Sequence, residues 1–586
     1  MTQELTTKLV GMLEVVYPDL DAGFLAQQLI DTMGLSPDAP SPGAHRNNWD
    51  ESDVFLITYG DSIRKTDEKP LVTLNRFLEE HLEGVVTGVH ILPFFPYSSD
   101  DGFSVIDYLA VNESLGDWPD IERIASHFRL MSDLVINHMS ARSQWFENFK
   151  KRIEPGKHYF FEADPKSNLS QVVRPRTSPV LTPVQTADGE RYVWCTFSDD
   201  QVDLNFANPQ VLIEFVRIIR QYLAHGVTVF RFDAVAFLWK EIGTPCIHLQ
   251  ETHELIKILR TLIEHHTPEA IIITETNVPN RENLTYLGNA NEAHAIYNFA
   301  LPPLLVNTLV TGDCRHLKTW LMSMPPAQVG TTYLNFIASH DGIGMRPTDG
   351  LLTEAEKQQL VAAMERFGGK VSYRHTAAGL SEPYELNISL YDALKGTAEH
   401  GPDHWQLGRF VCAHAIMFAL EGIPAVYIHS FLGTENDEER VKHTGRYRSI
   451  NRSRWDLGEL DEQLADPLSH HREVFSQLRH LIGIRRKQRA FHPNATQFTL
   501  HLGLQIFGFW RQSVSRDQSV FCINNISDKL QQVALSDINL IDTEQWQDLI
   551  SGEPINDLTS TLTLKPYQTV WLSNQATASP AEPDRG

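Results

Sequence analysis

The sequence predicts an α/β fold: a (β/α)8 barrel with two loop insertions, after strand three and strand seven, a helical N-terminal extension and a C-terminal β-domain. Three observations lead there. Eight short, nearly continuous apolar runs lie between residues 54 and 430, as expected of parallel strands buried on both faces. Segments between them often carry helical periodicity, as in "NPQVLIEFVRIIRQYLA", and eight such alternating units close into a barrel. After about residue 490 the pattern changes to short alternating strands, which suit a separate β-domain.

Residues 1–50 read as helices ended by the turn-rich "LSPDAPSPGA". The barrel spans 51–139 and 207–485, its strands being "VFLITYG", "VTGVHILPFF", "LMSDLVINH", "VTVFRFDAV", "EAIIITET", "HAIYNFAL", "TTYLNFIASH" and "GIPAVYIHS". Residues 140–206, rich in Pro, Thr and Asp, form the insertion after strand three, and 344–400 the one after strand seven. Both are too long for simple connections, and both leave the C-terminal ends of strands, where barrel enzymes keep their active sites. Residues 486–575 make the β-domain, and 576–586 read as a disordered tail.

Bulk properties exclude several functions. A net charge of −24 argues against nucleic acid or an anionic membrane as partner, since both need a basic face. Five scattered cysteines without CxxC spacing disfavour a disulfide framework and a zinc cluster. The N-terminus lacks the basic start and apolar core of a signal peptide, and no run approaches a membrane span. The expectation is a reduced, cytoplasmic protein.

The stretch "GVTVFRFDAVAFLWKE" places Arg231 and Asp233 two residues apart in an otherwise apolar strand. Residues i and i+2 share a strand face, so the two point the same way, and burying such charges without partners costs several kcal/mol. Other strands also end in ionisable residues: "DLVINH" at His138, "IIITE" at Glu275 and "IASHD" at His340 and Asp341. A strand-end Asp is ordinarily a cap or turn former. Three carboxylates meeting at one barrel mouth would repel one another, and sites use such repulsion to shift pKa values.

The set "DLVINH", "FRFDAV", "ITE" and "ASHD" resembles the signature segments of the α-amylase superfamily, glycoside hydrolase family 13. The resemblance implies Asp233 as nucleophile, Glu275 as general acid/base and Asp341 as the carboxylate that stabilises the distorted ring. It also implies that Arg231, His138 and His340 orient the nucleophile or bind sugar. A retaining mechanism needs one carboxylate ionised and one protonated. Arg231 should depress the pKa of Asp233, and the anionic Asp233 should raise that of Glu275.

Further segments, "GVHILPFFPYSSDDGFSVIDY", "VRPRTSP", "GTPCIHL", "FALPPLL" and "RSINR", are similar to the sucrose phosphorylase branch. That branch resolves a covalent glucosyl-enzyme with phosphate. The resemblance places Asp100 and Arg448 on the far hydroxyls of one glucose, Phe103 as an apolar platform, and Arg176 and Tyr384 on phosphate. No metal or other cofactor is implied; inorganic phosphate is a substrate. The branch's "DLYQ" element stands here as "PYEL", with Glu385 replacing Gln at the acceptor side, so sucrose itself is not the expected substrate.

The expectation is a retaining phosphorylase of 2-O-α-glucosylglycerol, giving α-glucose 1-phosphate and glycerol. Alternatives are glucosylglycerate or sucrose as substrate, or hydrolase and transglucosylase chemistry on the same scaffold. A non-catalytic member of the fold should lack one of the three carboxylates, and all three are present. Glycerol is favoured over glycerate because Glu382 and Glu385 on "SEPYEL" would repel a carboxylate, unless Arg346, Lys370 or Arg374 intervenes.

Overall fold

The computed structural model describes residues 2–35, 42–43, 45–176, 178–375, 381–542 and 544–574. Eight parallel strands close into a barrel: β1 (Phe55–Thr58), β2 (Gly88–Ile91), β3 (Arg129–Val135), β4 (Val227–Asp233), β5 (Ile271–Thr274), β6 (Ala295–Tyr297), β7 (Thr332–Asn335) and β8 (Ile423–Tyr427). They neighbour one another in chain order, and β8 closes on β1 through the pairs Phe55↔Ala425, Leu56↔Val426 and Ile57↔Tyr427. All four residues of β1 and of β5 are buried, which explains why these runs lack polar alternation.

Outer helices cover the sheet. Pro209–Ala224 starts with Asn208, whose side chain accepts from the Gln210 N–H, and Pro209 sits in the first turn, where its missing N–H costs nothing. Its buried face includes Val211, Leu212, Phe215, Val216 and Ile219. Two N-terminal helices, Thr2–Val16 and Ala22–Met33, pack on each other and on this outer layer. The hydroxyl of Tyr17 donates to the Phe206 carbonyl at 2.8 Å, and Arg220 donates to the Thr32 carbonyl at 3.1 Å.

The segment after β3 folds back on the barrel. His138–Ser140 pairs antiparallel with Gln201–Asp203, with a helix (Gln144–Lys151) and a hairpin (Leu181–Thr186 with Gly189–Trp194) between. "LMSDLVINH" is therefore two strands and not one: β3 stops at Val135, and His138 opens the second. Beyond β7, Ile343–Gly344, Ser381–Asn387 and Lys370–His375 form a three-stranded antiparallel sheet beside helix Glu354–Arg366. The C-terminal strands from Thr496 to Ser573 include a six-stranded sheet with its own core of Phe521, Ile523, Trp546 and Leu572. Residues 576–586, expected as a tail, lie outside the described residues. Among the described residues no helix is long and apolar enough to cross a membrane.

Candidate active site

The register of β3 on β4 sets Asp133 beside Arg231 and Val135 beside Asp233. Arg231, 2 % exposed, lies close against Asp133 and donates from Nη1 to Asp233 Oδ1 at 2.8 Å; its Nη2 is 3.9 Å from Glu275 Oε1. Asp133 is held in turn by His90 of β2, Nε2 to Oδ2 at 2.7 Å. The buried guanidinium thus sits in a row of charge across three strands, which is what makes its burial tolerable. Asp133 was readable in "LMSDLV" as an acid inside an apolar run, the same signal that singles out Arg231, yet the sequence reading passed over it.

Glu275 follows β5 directly, and its Oε2 accepts the Ala234 N–H at 3.0 Å. Ala234 adopts φ 51°, a left-handed turn immediately after Asp233 that swings its N–H toward Glu275. Asp341, beyond β7, has Oδ1 at 2.6 Å from Arg448 Nη1, 3.6 Å from His340 Nε2 and 3.8 Å from Arg452 Nη2. Gly342 follows because a Cβ there would meet Glu385 Cγ at 2.5 Å and the Leu386 carbonyl at 2.8 Å. The His340 ring stacks on Phe103, centroids 5.0 Å apart. His138 Nε2 lies 2.9 Å from the Phe103 carbonyl and 3.2 Å from Gln201, whose amide also donates to Asp100 at 3.2 Å. Behind His138, the Lys240 ammonium contacts Asn137 Oδ1 at 2.8 Å and Asp203 Oδ2 at 2.9 Å, a chain-supplied cation beneath the insertion.

The electrostatics correct one expectation. Asp233 is not depressed: burial pushes its carboxyl well above the usual range, against the pull of Arg231, and Glu275 and Asp133 push the same way. Glu275 is also raised, chiefly by burial. The two acids share one guanidinium, but Arg231 touches Asp233 at 2.8 Å and reaches Glu275 only at 3.9 Å. A single proton shared between them therefore favours Glu275. Burial would raise Asp341 too, but Arg448, His340, Arg452 and Arg231 together hold it well below the ordinary range. Burial lowers His340 to about 3 and lowers His138, so both imidazoles are neutral near pH 7.

The residues nominated for catalysis, glucose and phosphate line one pocket: Asp100, Phe103, His138, Arg176, Arg231, Asp233, Glu275, His340, Asp341, Tyr384, Glu385 and Arg448. Sequence reasoning missed Gln201, which opens the short strand Gln201–Asp203, Phe237, which ends the short helical turn Val235–Phe237, and the loop residues Asn277 and Phe197, none of which carries a strand-end charge signal. Asp100 and Arg448 do not pair; Arg448 is taken by Asp341 and, in a two-pronged contact, by Glu385 at 2.8 and 3.0 Å. At the mouth, the Arg176 guanidinium lies 5.7 Å from the Tyr384 ring and 6.0 Å from that of Phe197, so the two insertions meet there.

The argument that free carboxylates border the acceptor is overturned. Glu382 is ion-paired with Arg374 at 3.1 Å across the hairpin, and Glu385 is ion-paired with Arg448 at 2.8 Å. Arg346 lines the pocket, and among the described residues no carboxylate comes within salt-bridge distance of its guanidinium or of that of Arg176. Lys370 is not among the lining residues, and Arg374 lines an adjoining recess.

Comparison with known proteins identifies relatives of this chain. Residues 81–348 match the α-amylase catalytic domain. The chain is 43 % identical over 525 residues to the glucosylglycerate phosphorylase of Allomeiothermus silvanus, covering 89 % of this chain and 91 % of that one. It is 29 % identical over 428 residues to the glucosylglycerol phosphorylase of Marinobacter adhaerens, covering 71 % and 84 %. The crystal structure of sucrose 6F-phosphate phosphorylase from Thermoanaerobacter thermosaccharolyticum superposes with a TM-score of 0.71 at 26 % identity, over 88 % of this chain and 98 % of that one.

Proposed function

The chain belongs to glycoside hydrolase family 13, in its sucrose phosphorylase-like branch, and is a glycoside phosphorylase; from that premise we propose that its glucosyl acceptor is glycerate. The reaction would be reversible, α-glucosylglycerate plus phosphate giving α-glucose 1-phosphate plus glycerate. This replaces the expectation of glycerol. The observation that carries it is Arg346, a pocket-lining guanidinium without a carboxylate partner among the described residues, on the side where Glu382 and Glu385 are already ion-paired with Arg374 and Arg448. An unpaired guanidinium suits a carboxylate in its fork geometry, and a neutral polyol makes no use of its charge. The greater identity to a glucosylglycerate phosphorylase than to a glucosylglycerol phosphorylase points the same way.

In this reading Asp233 attacks the anomeric carbon as Glu275 gives its proton to the departing glycerate oxygen. The bond from carbon to glycerate breaks as the bond from carbon to Asp233 forms. Phosphate then enters beside Arg176 and Tyr384, gives a proton back to Glu275, and displaces Asp233 with net retention. Asp341 and Arg448 hold hydroxyls of the glucose, with Asp100 and the neutral His138 and His340 supplying further contacts. Phe103 forms the apolar platform. The 2.8 Å contact with Arg231 favours the ionised form on Asp233 over Glu275, against the burial that raises both.

The test is release of α-glucose 1-phosphate from glucosylglycerate, glucosylglycerol and sucrose, each with and without phosphate. Glucosylglycerate should react fastest and only with phosphate present. Faster release from glucosylglycerol would return the acceptor to glycerol.

A further inference from the structure

Glu385 stands where the related branch carries Gln, at the acceptor side of the pocket, and at first sight it is an acceptor ligand. Its contacts say otherwise. Glu385 is 4 % exposed, and both of its oxygens are engaged: Oε2 by Arg448 Nε at 3.0 Å and Oε1 by Arg448 Nη2 at 2.8 Å. This is the parallel two-bond fork between guanidinium and carboxylate, which fixes orientation as well as charge. The remaining nitrogen, Arg448 Nη1, is turned onto Asp341 Oδ1 at 2.6 Å. Gly342 makes the arrangement possible, since the Glu385 side chain fills the space a Cβ would need.

We propose that Glu385 is a positioning residue: it does not touch the acceptor but holds the Arg448 fork so that Nη1 faces Asp341 and the glucose. The inference rests on the reading of Arg448 as a glucose ligand. Two consequences follow from the geometry. First, an Arg448 released from Glu385 keeps its charge but gains rotational freedom, so glucosyl donors bind less well. Second, both Glu385 oxygens are occupied by Arg448, so the choice between glycerate and glycerol does not pass through a contact with Glu385.

Glu385→Gln keeps the shape but sets an amide N–H₂ against the guanidinium. It should raise KM for α-glucose 1-phosphate about tenfold or more, the loss expected for one charge-assisted contact. The glycerate-to-glycerol rate ratio should stay within about twofold. In an Arg448→Ala background the same substitution should add nothing, because residues acting through one another are non-additive. Full additivity, an unchanged KM, or a shifted acceptor ratio would each overturn the proposal. If Arg448→Ala alone left KM unchanged, the reading of Arg448 as a glucose ligand would fall, and the proposal with it. The acceptor assignment is measured separately, on the unaltered enzyme. Should Glu385→Gln not fold, a crystal structure of the native enzyme with glucose and glycerate decides: Glu385 must remain on Arg448, and a hydrogen bond from Glu385 to glycerate refutes the idea.

Discussion

Arg346→Ala is the most informative perturbation of acceptor choice. Arg346 sits on the short segment that follows Ile343–Gly344, lines the pocket and is partly exposed. A hydrogen bond to a charged group contributes about 1.5–3 kcal/mol, and partial exposure places this one toward the lower end. Each 1.36 kcal/mol is a factor of ten, so kcat/KM for glycerate should fall by roughly ten- to thirtyfold. Glycerol presents no charge, and its kcat/KM should change less than about threefold. The assay is synthesis from α-glucose 1-phosphate with glycerate and glycerol at equal concentrations, products separated and counted. Arg346→Lys keeps the charge and loses the fork, so it should fall between the native enzyme and the alanine variant. An unchanged product ratio, or an equal loss for both acceptors, would refute the assignment of Arg346 to the carboxylate.

Asp233→Asn should abolish turnover and leave the thermal unfolding profile intact, because in the proposed mechanism Asp233 acts as nucleophile and not as a cap; activity within about tenfold of native would contradict this. Arg176→Ala should weaken the phosphate requirement's saturation by roughly ten- to a hundredfold and divert product toward free glucose, as water competes for the covalent intermediate; an unchanged phosphate dependence would make "VRPRTSP" a solvated turn. For a neutral donor, kcat/KM should fall on the alkaline side as the single proton shared by Asp233 and Glu275 is lost. Because burial raises both groups, that limb should lie above the ordinary carboxylate range. An alkaline limb retained in Glu275→Gln would place the proton elsewhere.

The barrel was legible because strand burial leaves no alternation to confuse, and because its ends break that rule conspicuously. Arg231, Asp233 and Glu275 are polar residues in or just after runs where polarity is expensive, so their positions alone announce a purpose. Asp133 obeys the same logic and could have been found by asking what balances a buried arginine on the next strand. The left-handed turn at Ala234 leaves no trace in composition, since alanine has no preference for φ 51°. Nor does a sequence state how burial and an adjacent cation balance, which is why Asp233 was expected depressed and is instead raised.

The acceptor loop shows where such reasoning stops. Sign of charge is written in the sequence; partnership is not. Glu382 finds Arg374 through a hairpin whose register shifts between Ser372 and Tyr373, and Glu385 finds Arg448 from 63 positions away. With those two acids held by other arginines, the mouth retains Arg176 on one insertion and Arg346 on the other. On the proposed reading, two different anions meet the same covalent intermediate, phosphate in one direction and glycerate in the other. A single cation serving both would make phosphate and glycerate equally sensitive to its removal. Two cations on separate insertions, neither with a carboxylate partner among the described residues, allow each anion its own. Arg176→Ala should therefore weaken phosphate and α-glucose 1-phosphate, and Arg346→Ala glucosylglycerate and glycerate, each in both directions of the reaction; a loss of phosphate affinity in Arg346→Ala would refute the division.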